Sequence, residues 1–180
     1  MTNDTNPRTA LLARELTGDS DRALWNEFVE RSPEGDVLQA WEWGFVKSPD
    51  WTPIRFGVFR DGVIVAGIAL LRRTLPVVGS YYYASRGPLL ADWSDEAVLR
   101  ALLEIVKGRA KQDNAGFFRI DPAIPIEQTE VAALLKKSGF APAVGGDAQG
   151  FGGMQPRCVM QLDLAGRSLD EIRASFKGQT

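Results

Sequence analysis

The chain has 180 residues and a mass of 19.8 kDa, enough for one compact domain, or for one domain and the start of a second. Its 44% apolar and 24% charged residues can offset ordering entropy, which excludes disorder over most of its length. It carries 21 basic against 23 acidic residues, one cysteine and no histidine. An overall basic field, an intrachain disulfide framework, His-dependent nucleophilic triads and His-built zinc sites are therefore excluded. A nucleic acid would have to be met by a local patch.

The polar N-terminus, MTNDTNPRTA, has no apolar core of a signal peptide. The longest apolar run, residues 63–71, is too short to span a bilayer, so no transmembrane segment is expected. A cytoplasmic location is the simplest reading, and the lone Cys158 agrees with a reducing compartment.

Residues 1–18 read as a flexible tail. Asp19 or Ser20 caps a helix to about Arg31, with Leu24, Trp25, Phe28 and Val29 as its apolar stripe. Ser32-Pro33-Glu34-Gly35 breaks it. Residues 38–47, rich in aromatics, read as a short helix ended by Ser48-Pro49-Asp50. Residues 54–60 alternate as a strand, Asp61-Gly62 signals a hairpin, and residues 63–72 return. A third strand, residues 81–84, puts Tyr81 and Tyr83 on one face and Tyr82 on the other, and runs into the turn Ser85-Arg86-Gly87-Pro88. Ser94 opens a helix to about Gln112, with acids in its first turn and Val98, Leu102, Ile105 and Val106 on its buried face.

Residues 117–122 form a strand that stops at Pro122, and residues 127–137 a helix followed by Gly139 at its C-cap. Residues 144–156 are a Gly-rich loop and residues 157–164 a further strand. Ser168-Leu169-Asp170-Glu171 has capping-box spacing and opens a last helix. This order predicts an α/β (α+β) fold, a mixed sheet with flanking helices. A hairpin followed by β-α-β-α-β resembles the acyl-CoA N-acyltransferase layout. The expected division is a tail at 1–18, a first acyltransferase-like subdomain at 19–164, and the start of a second at 165–180.

Three groups of residues are candidates for chemistry. A phosphate cradle of the acyl-CoA type needs Gln/Arg-x-x-Gly-x-Gly/Ala at a helix start. Only Gln149 before Gly152 approaches it, Met154 breaks the pattern, and Gln155-Pro156-Arg157 leads into a strand; a plain loop is the simpler reading. The aromatics Trp41, Trp43, Trp51 and Tyr81 to Tyr83 offer flat faces with polar tips, although core packing is the ordinary role for most of them. Arg86-Gly87-Pro88 with Asp92 combines a planar anion-binding fork, a close backbone approach, a fixed turn and a carboxylate able to accept a proton or orient an amine. The plainer alternatives are a surface turn for Arg86 and a helix-leading acid for Asp92. Cys158, with no histidine to activate it, reads as a structural thiol. Lys107, Arg109 and Lys111 read as a solvated helix face.

Taken together, the segments resemble the Fem-type aminoacyltransferases (the FemA/FemB/FemX group). The resemblance rests on Leu38-Gln39-Ala40-Trp41-Glu42-Trp43-Gly44 with Lys47, and Tyr83-Ala84-Ser85-Arg86-Gly87-Pro88-Leu89 with Asp92. Phe118-Arg119-Ile120-Asp121-Pro122, Leu134-Leu135-Lys136-Lys137-Ser138-Gly139-Phe140, Gln155-Pro156-Arg157 and Leu162-Asp163-Leu164 follow in order, then residues 169–177. The family often has Pro where Ser85 stands.

The resemblance implies transfer of an amino acid from aminoacyl-tRNA to the stem-peptide amine of a peptidoglycan precursor, in cell-wall cross-bridge formation. The precursor is either UDP-MurNAc-pentapeptide or lipid II. It implies two acyltransferase-like subdomains, of which this chain would be the precursor-binding N-terminal half, with most tRNA contacts in the other. In that picture Trp43 and Tyr83 pack on the precursor, Lys47 or Arg86 meets its diphosphate, and Asp92 lies near the acceptor amine. Neither a cofactor nor a metal is implied. Two other readings stay open: an acyl-CoA-dependent N-acyltransferase acting on another amine, and a non-catalytic nucleotide-sugar binding module.

Overall fold

The computed structural model describes residues 10–76, 79–142 and 162–176. By its internal contacts the chain divides into two units, Met1–Pro142 and Ala143–Thr180; the expected boundary at 164/165 falls inside the second.

The first unit is built on a six-stranded sheet in the order β1 (Leu11–Glu15), β2 (Thr52–Arg60), β3 (Val63–Leu75), β4 (Gly79–Arg86) and β6 (Ala115–Pro122), with β5 (Leu89–Leu90) also on β3. Strand β2 (Thr52–Arg60) and strand β3 (Val63–Leu75) form the expected hairpin. Its turn residues Asp61 and Gly62 both take positive φ, 51° and 80°, the geometry that matches the twist of the flanking strands. Strand β1 (Leu11–Glu15) adds to β2 antiparallel, from Leu11 opposite Arg60 to Glu15 opposite Phe56. The expected tail thus includes a strand: residues 11–15 satisfy their backbone on the open edge of β2.

Strand β4 (Gly79–Arg86) pairs antiparallel with the far end of β3. The two-residue strand β5 (Leu89–Leu90), which no sequence signal marked, returns to β3 opposite Ala66 and Gly67. Strand β6 (Ala115–Pro122) pairs with β4 in parallel, as a helical crossover demands.

That crossover is α3 (Glu96–Gln112), whose N-cap is Asp95 rather than Ser94: the Asp95 side chain accepts from the Val98 N–H. Its face of Val98, Leu99, Leu102, Leu103 and Val106 packs on Ile54, Phe56, Val58, Ala66, Ile68, Leu70, Tyr82 and Ala84. These alternate residues of β2, β3 and β4 form an almost wholly apolar layer. Helix α4 (Thr129–Lys137) sets Leu134 against this side, and Gly139 after it takes φ +96°, the left-handed cap that was expected.

The other sheet face is covered by α1 (Asp19–Arg31), a 3₁₀ turn (Val37–Gln39) and α2 (Trp41–Lys47). The expected single helix over residues 38–47 is therefore two pieces, with Ala40 extended between them (ψ 151°). Trp25 is fully buried and lies on Gly67, where any Cβ would collide with the indole. Glu42 ties α2 to α1 by accepting from Arg22 Nε at 2.7 Å and Asn26 Nδ2 at 2.9 Å.

In the second unit, α5 (Leu169–Ser175) has the expected capping box: Ser168 Oγ accepts from the Glu171 N–H, and Glu171 accepts from the Ser168 N–H at 2.7 Å. The expected Gly-rich loop, the Gln149 pattern, Cys158 and most of the expected strand at 157–164 lie outside the described residues; the described end of that strand, residues 162–164, is not in a strand. No helix among the described residues is long and apolar enough to cross a membrane.

Candidate active site

Strand β4 ends in a bend that no ordinary L-residue adopts cheaply. Arg86 takes φ +57°, and the Gly87–Pro88 peptide that follows is cis. Parallel pairing sets Ser85 beside Asp121 and Tyr83 beside Arg119. Asp121 therefore lies against the bend. Its Oδ1 accepts from the Arg86 N–H at 2.7 Å, and its Oδ2 accepts from the Tyr83 hydroxyl at 2.7 Å.

Burial pushes the Asp121 carboxyl above the usual carboxylate range. The Tyr83 and Arg86 hydrogen bonds, and the charges of Arg86 and Arg119, pull the other way and reverse only part of that rise. The Arg86 side chain is largely buried, with Nε 4.0 Å from Asp36 Oδ2. Asp36 in turn caps the 3₁₀ turn by accepting from the Leu38 N–H at 2.8 Å. A cation, a phenol and a desolvated carboxylate thus converge at one strand end.

Sequence reasoning named Tyr83 and Arg86, and the structure brings them together. It missed Asp121 and Asp36 as partners. The expected alternation of Tyr81, Tyr82 and Tyr83 holds: Tyr82 points to the α3 side, its hydroxyl donating to Asp113 Oδ2 at 2.5 Å.

Trp43 and Lys47, one turn apart on α2, form a second pair. The Lys47 ammonium sits 4.9 Å from the Trp43 ring centroid. Trp43 Nε1 is buried without a hydrogen-bond partner among the described residues. Trp51 instead belongs to a cross-strand ladder, edge-on to Tyr81 at 5.3 Å, with Tyr81 stacked on Phe117 at 4.9 Å. Beneath α2 lies the guanidinium of Arg55, 4.1 Å over the Trp41 ring and donating to the Trp41 carbonyl at 2.6 Å. Desolvation lowers its pKa to about 10.

Asp92 stands outside the Arg86 cluster. Strand β5 carries it back along the edge of β3 that β4 has left, to the start of α3, where its Oδ1 accepts from the Ser94 N–H at 2.8 Å and hydroxyl at 2.7 Å. It lines a cavity of about 590 Å³ with Glu34, Trp93, Glu96, Glu130 and Val131, a wall rich in acids that suits a cationic group.

The FemAB family matches residues 21–180 of the chain. Over 153 residues the chain is 32% identical to the lipid II:glycine glycyltransferase of Staphylococcus aureus (strain MRSA252), covering 83% of this chain and 36% of that protein. It thus spans about a third of the length of the curated relatives it matches. A crystal structure of FemX superposes with a TM-score of 0.64 at 30% identity, over 71% of this chain and 32% of that one. The ribosomal-protein-alanine N-acetyltransferase from Brucella melitensis biovar Abortus 2308 superposes with a TM-score of 0.55 at 12% identity, over 85% of this chain and 100% of that one. The second likeness bears on the fold alone, and it bears out the acyl-CoA N-acyltransferase-like layout expected from the order of elements. On the extent of the family match, the chain belongs to the FemAB family.

Proposed function

We propose that this chain is the precursor-binding part of an aminoacyltransferase that adds an amino acid from aminoacyl-tRNA to the stem-peptide amine of a peptidoglycan precursor. The observation that carries the reading is the Tyr83–Asp121–Arg86 cluster at the β4 bend, in a FemAB chain.

Arg86 offers the fork that a diphosphate requires, with Lys47 as a second cation on α2. Trp43, half-buried on α2, supplies a flat surface for the sugar or nucleotide. Tyr83 is only 3% exposed, so the stacking role expected for it gives way to holding Asp121 through its hydroxyl. The chemistry is aminolysis of an ester. The amine attacks the aminoacyl carbonyl carbon, the C–N bond forms, and the bond to the tRNA ribose oxygen breaks. The nitrogen sheds a proton, and the released ribose oxygen takes one up.

Two carboxylates compete to hold that amine. The resemblance points to Asp92, which lies in the acid-lined cavity. The geometry favours Asp121, whose raised pKa suits proton acceptance better than an ordinary carboxylate does. Holding the two substrates in register supplies much of the rate.

The test is calorimetric titration of the chain with UDP-MurNAc-pentapeptide, with acetyl-CoA as control. Precursor binding without acetyl-CoA binding is expected. Acetyl-CoA binding alone overturns the reading in favour of an acyl-CoA-dependent N-acyltransferase, and binding of neither overturns the claim that this part holds the precursor.

A further inference from the structure

Strand β4 leaves β3 after Tyr83 pairs with Leu71, and the chain rejoins β3 only where Leu89 pairs with Gly67. Between these points no strand among the described residues pairs with Ala69 on its β4 side. Its backbone N–H and C=O are partly buried polar groups left without a strand partner on that side. The Gln39 carboxamide provides them. Its Oε1 accepts from the Ala69 N–H at 2.9 Å, and its Nε2 donates to the Ala69 carbonyl at 3.3 Å and to the Ser85 carbonyl at 2.6 Å.

Gln39 is fully buried, and its own carbonyl accepts the Trp25 indole N–H at 2.7 Å. The turn after β4 is seated on the same group: a Cβ on Gly87 would lie 2.8 Å from three carboxamide atoms. Ser85, held by Gln39 from one side, is paired across the ladder with Asp121 on the other, and Arg86 follows it directly.

We propose that Gln39 is a positioning residue, whose carboxamide substitutes for the missing strand pairing between β3 and β4 and so fixes the bend that presents Arg86 and Asp121. As a site-directed role it rests on the reading of that bend as the ligand site, although the mechanical claim stands by itself. An apolar isostere keeps the volume but leaves three backbone groups unsatisfied, so the bend relaxes.

The experiment compares the native chain with Gln39→Met, both checked for folding by near-ultraviolet circular dichroism. One readout is the Arg86 amide resonance, whose short bond to Asp121 marks the bend. The other is affinity for UDP-MurNAc-pentapeptide. Expected are an upfield move of the Arg86 amide and an affinity loss of about tenfold or more, the scale of one or two net hydrogen bonds. An unchanged Arg86 amide and unchanged affinity in a folded variant overturn the proposal, even if the melting temperature falls. If the native chain binds no precursor, the functional reading fails while the amide resonance still decides the role of Gln39. If Gln39→Met does not fold, Gly87→Ala presses on the same carboxamide from the turn side and is judged by the same two readouts.

Discussion

Asp121 and Asp92 are the two acids proposed to hold the acceptor amine, and the fold treats them in opposite ways. Asp92 is only six residues from Arg86, yet β5 takes it back along the same edge of β3 toward that strand's start, where it is exposed and bonded to Ser94. Asp121 is 35 residues from Arg86, yet parallel pairing of β6 with β4 brings it to the Arg86 backbone N–H at 2.7 Å. One acid is solvated and held by its own turn; the other is desolvated, raised in pKa and held by two elements. Nearness in sequence is therefore a poor guide to a shared site wherever a chain changes direction between two residues.

The largest expected effect separates the two acids. Asp121→Asn removes a charge-assisted contact and is expected to weaken binding of the precursor by about 1.5–3 kcal/mol, roughly 10- to 150-fold. A precursor whose stem amine is acetylated should bind native and variant chains alike, and an equal loss for both ligands would deny Asp121 the amine. The same substitution changes stability in a pH-dependent way. Because Asp121 titrates above the usual carboxylate range, its protonated form suits the fold, and that contribution is lost as pH rises through the raised value. The native chain should therefore compare best with Asp121→Asn in acid and progressively less well as pH rises through the raised value, which denaturation at several pH values will check.

Next in size is Arg86→Ala, expected to weaken precursor binding by about 1–3 kcal/mol. Calorimetry that finds unchanged affinity in a folded variant removes Arg86 from the diphosphate.

A smaller contrast is expected between two tryptophans. Trp43, stacked under the Lys47 ammonium, should cost more affinity on truncation to Ala than Trp51, which is engaged with Tyr81. The reverse order in the same titration would move the aromatic platform to the Trp51–Tyr81–Phe117 ladder.

Asp92→Asn comes last. An exposed charge contact is worth about 0–1 kcal/mol, so affinity should fall by no more than about fivefold. A larger loss than that of Asp121→Asn would reverse the assignment and place the amine in the acid-lined cavity.

What was legible in the sequence was local. Asp61-Gly62 named its hairpin because its turn type demands those residues, and Ser168 with Glu171 named a helix start because the box is closed by residues three apart. Strand β1 was hidden: its five residues, Leu11–Glu15, alternate weakly, and only the open edge of β2 makes them a strand. The two-residue β5 is set wholly by pairing with β3.

The site was half legible. Tyr83 and Arg86 share one strand, so they could be read together. Asp121 becomes their partner only through the β4–β6 register, and Gln39 becomes important only because a ladder is broken elsewhere. Neither fact has a local signature. The two-piece form of residues 37–47 has the same origin, since the break at Ala40 lets Gln39 turn inward beneath α1.

Strand β4 is fastened at both ends. At its start, Ser80 donates from its hydroxyl to the Asp113 carbonyl at 2.9 Å and from its N–H to the Asn114 carbonyl at 3.2 Å, while the Tyr82 hydroxyl reaches the Asp113 carboxylate. At its finish, Gln39 and Asp121 hold Ser85 and Arg86. A strand clamped in this way cannot slide along its neighbours to meet a ligand. Its amides should be among the slowest to exchange with deuterium, and any adjustment to a ligand must come from side-chain rotation at the bend and from the covering helices.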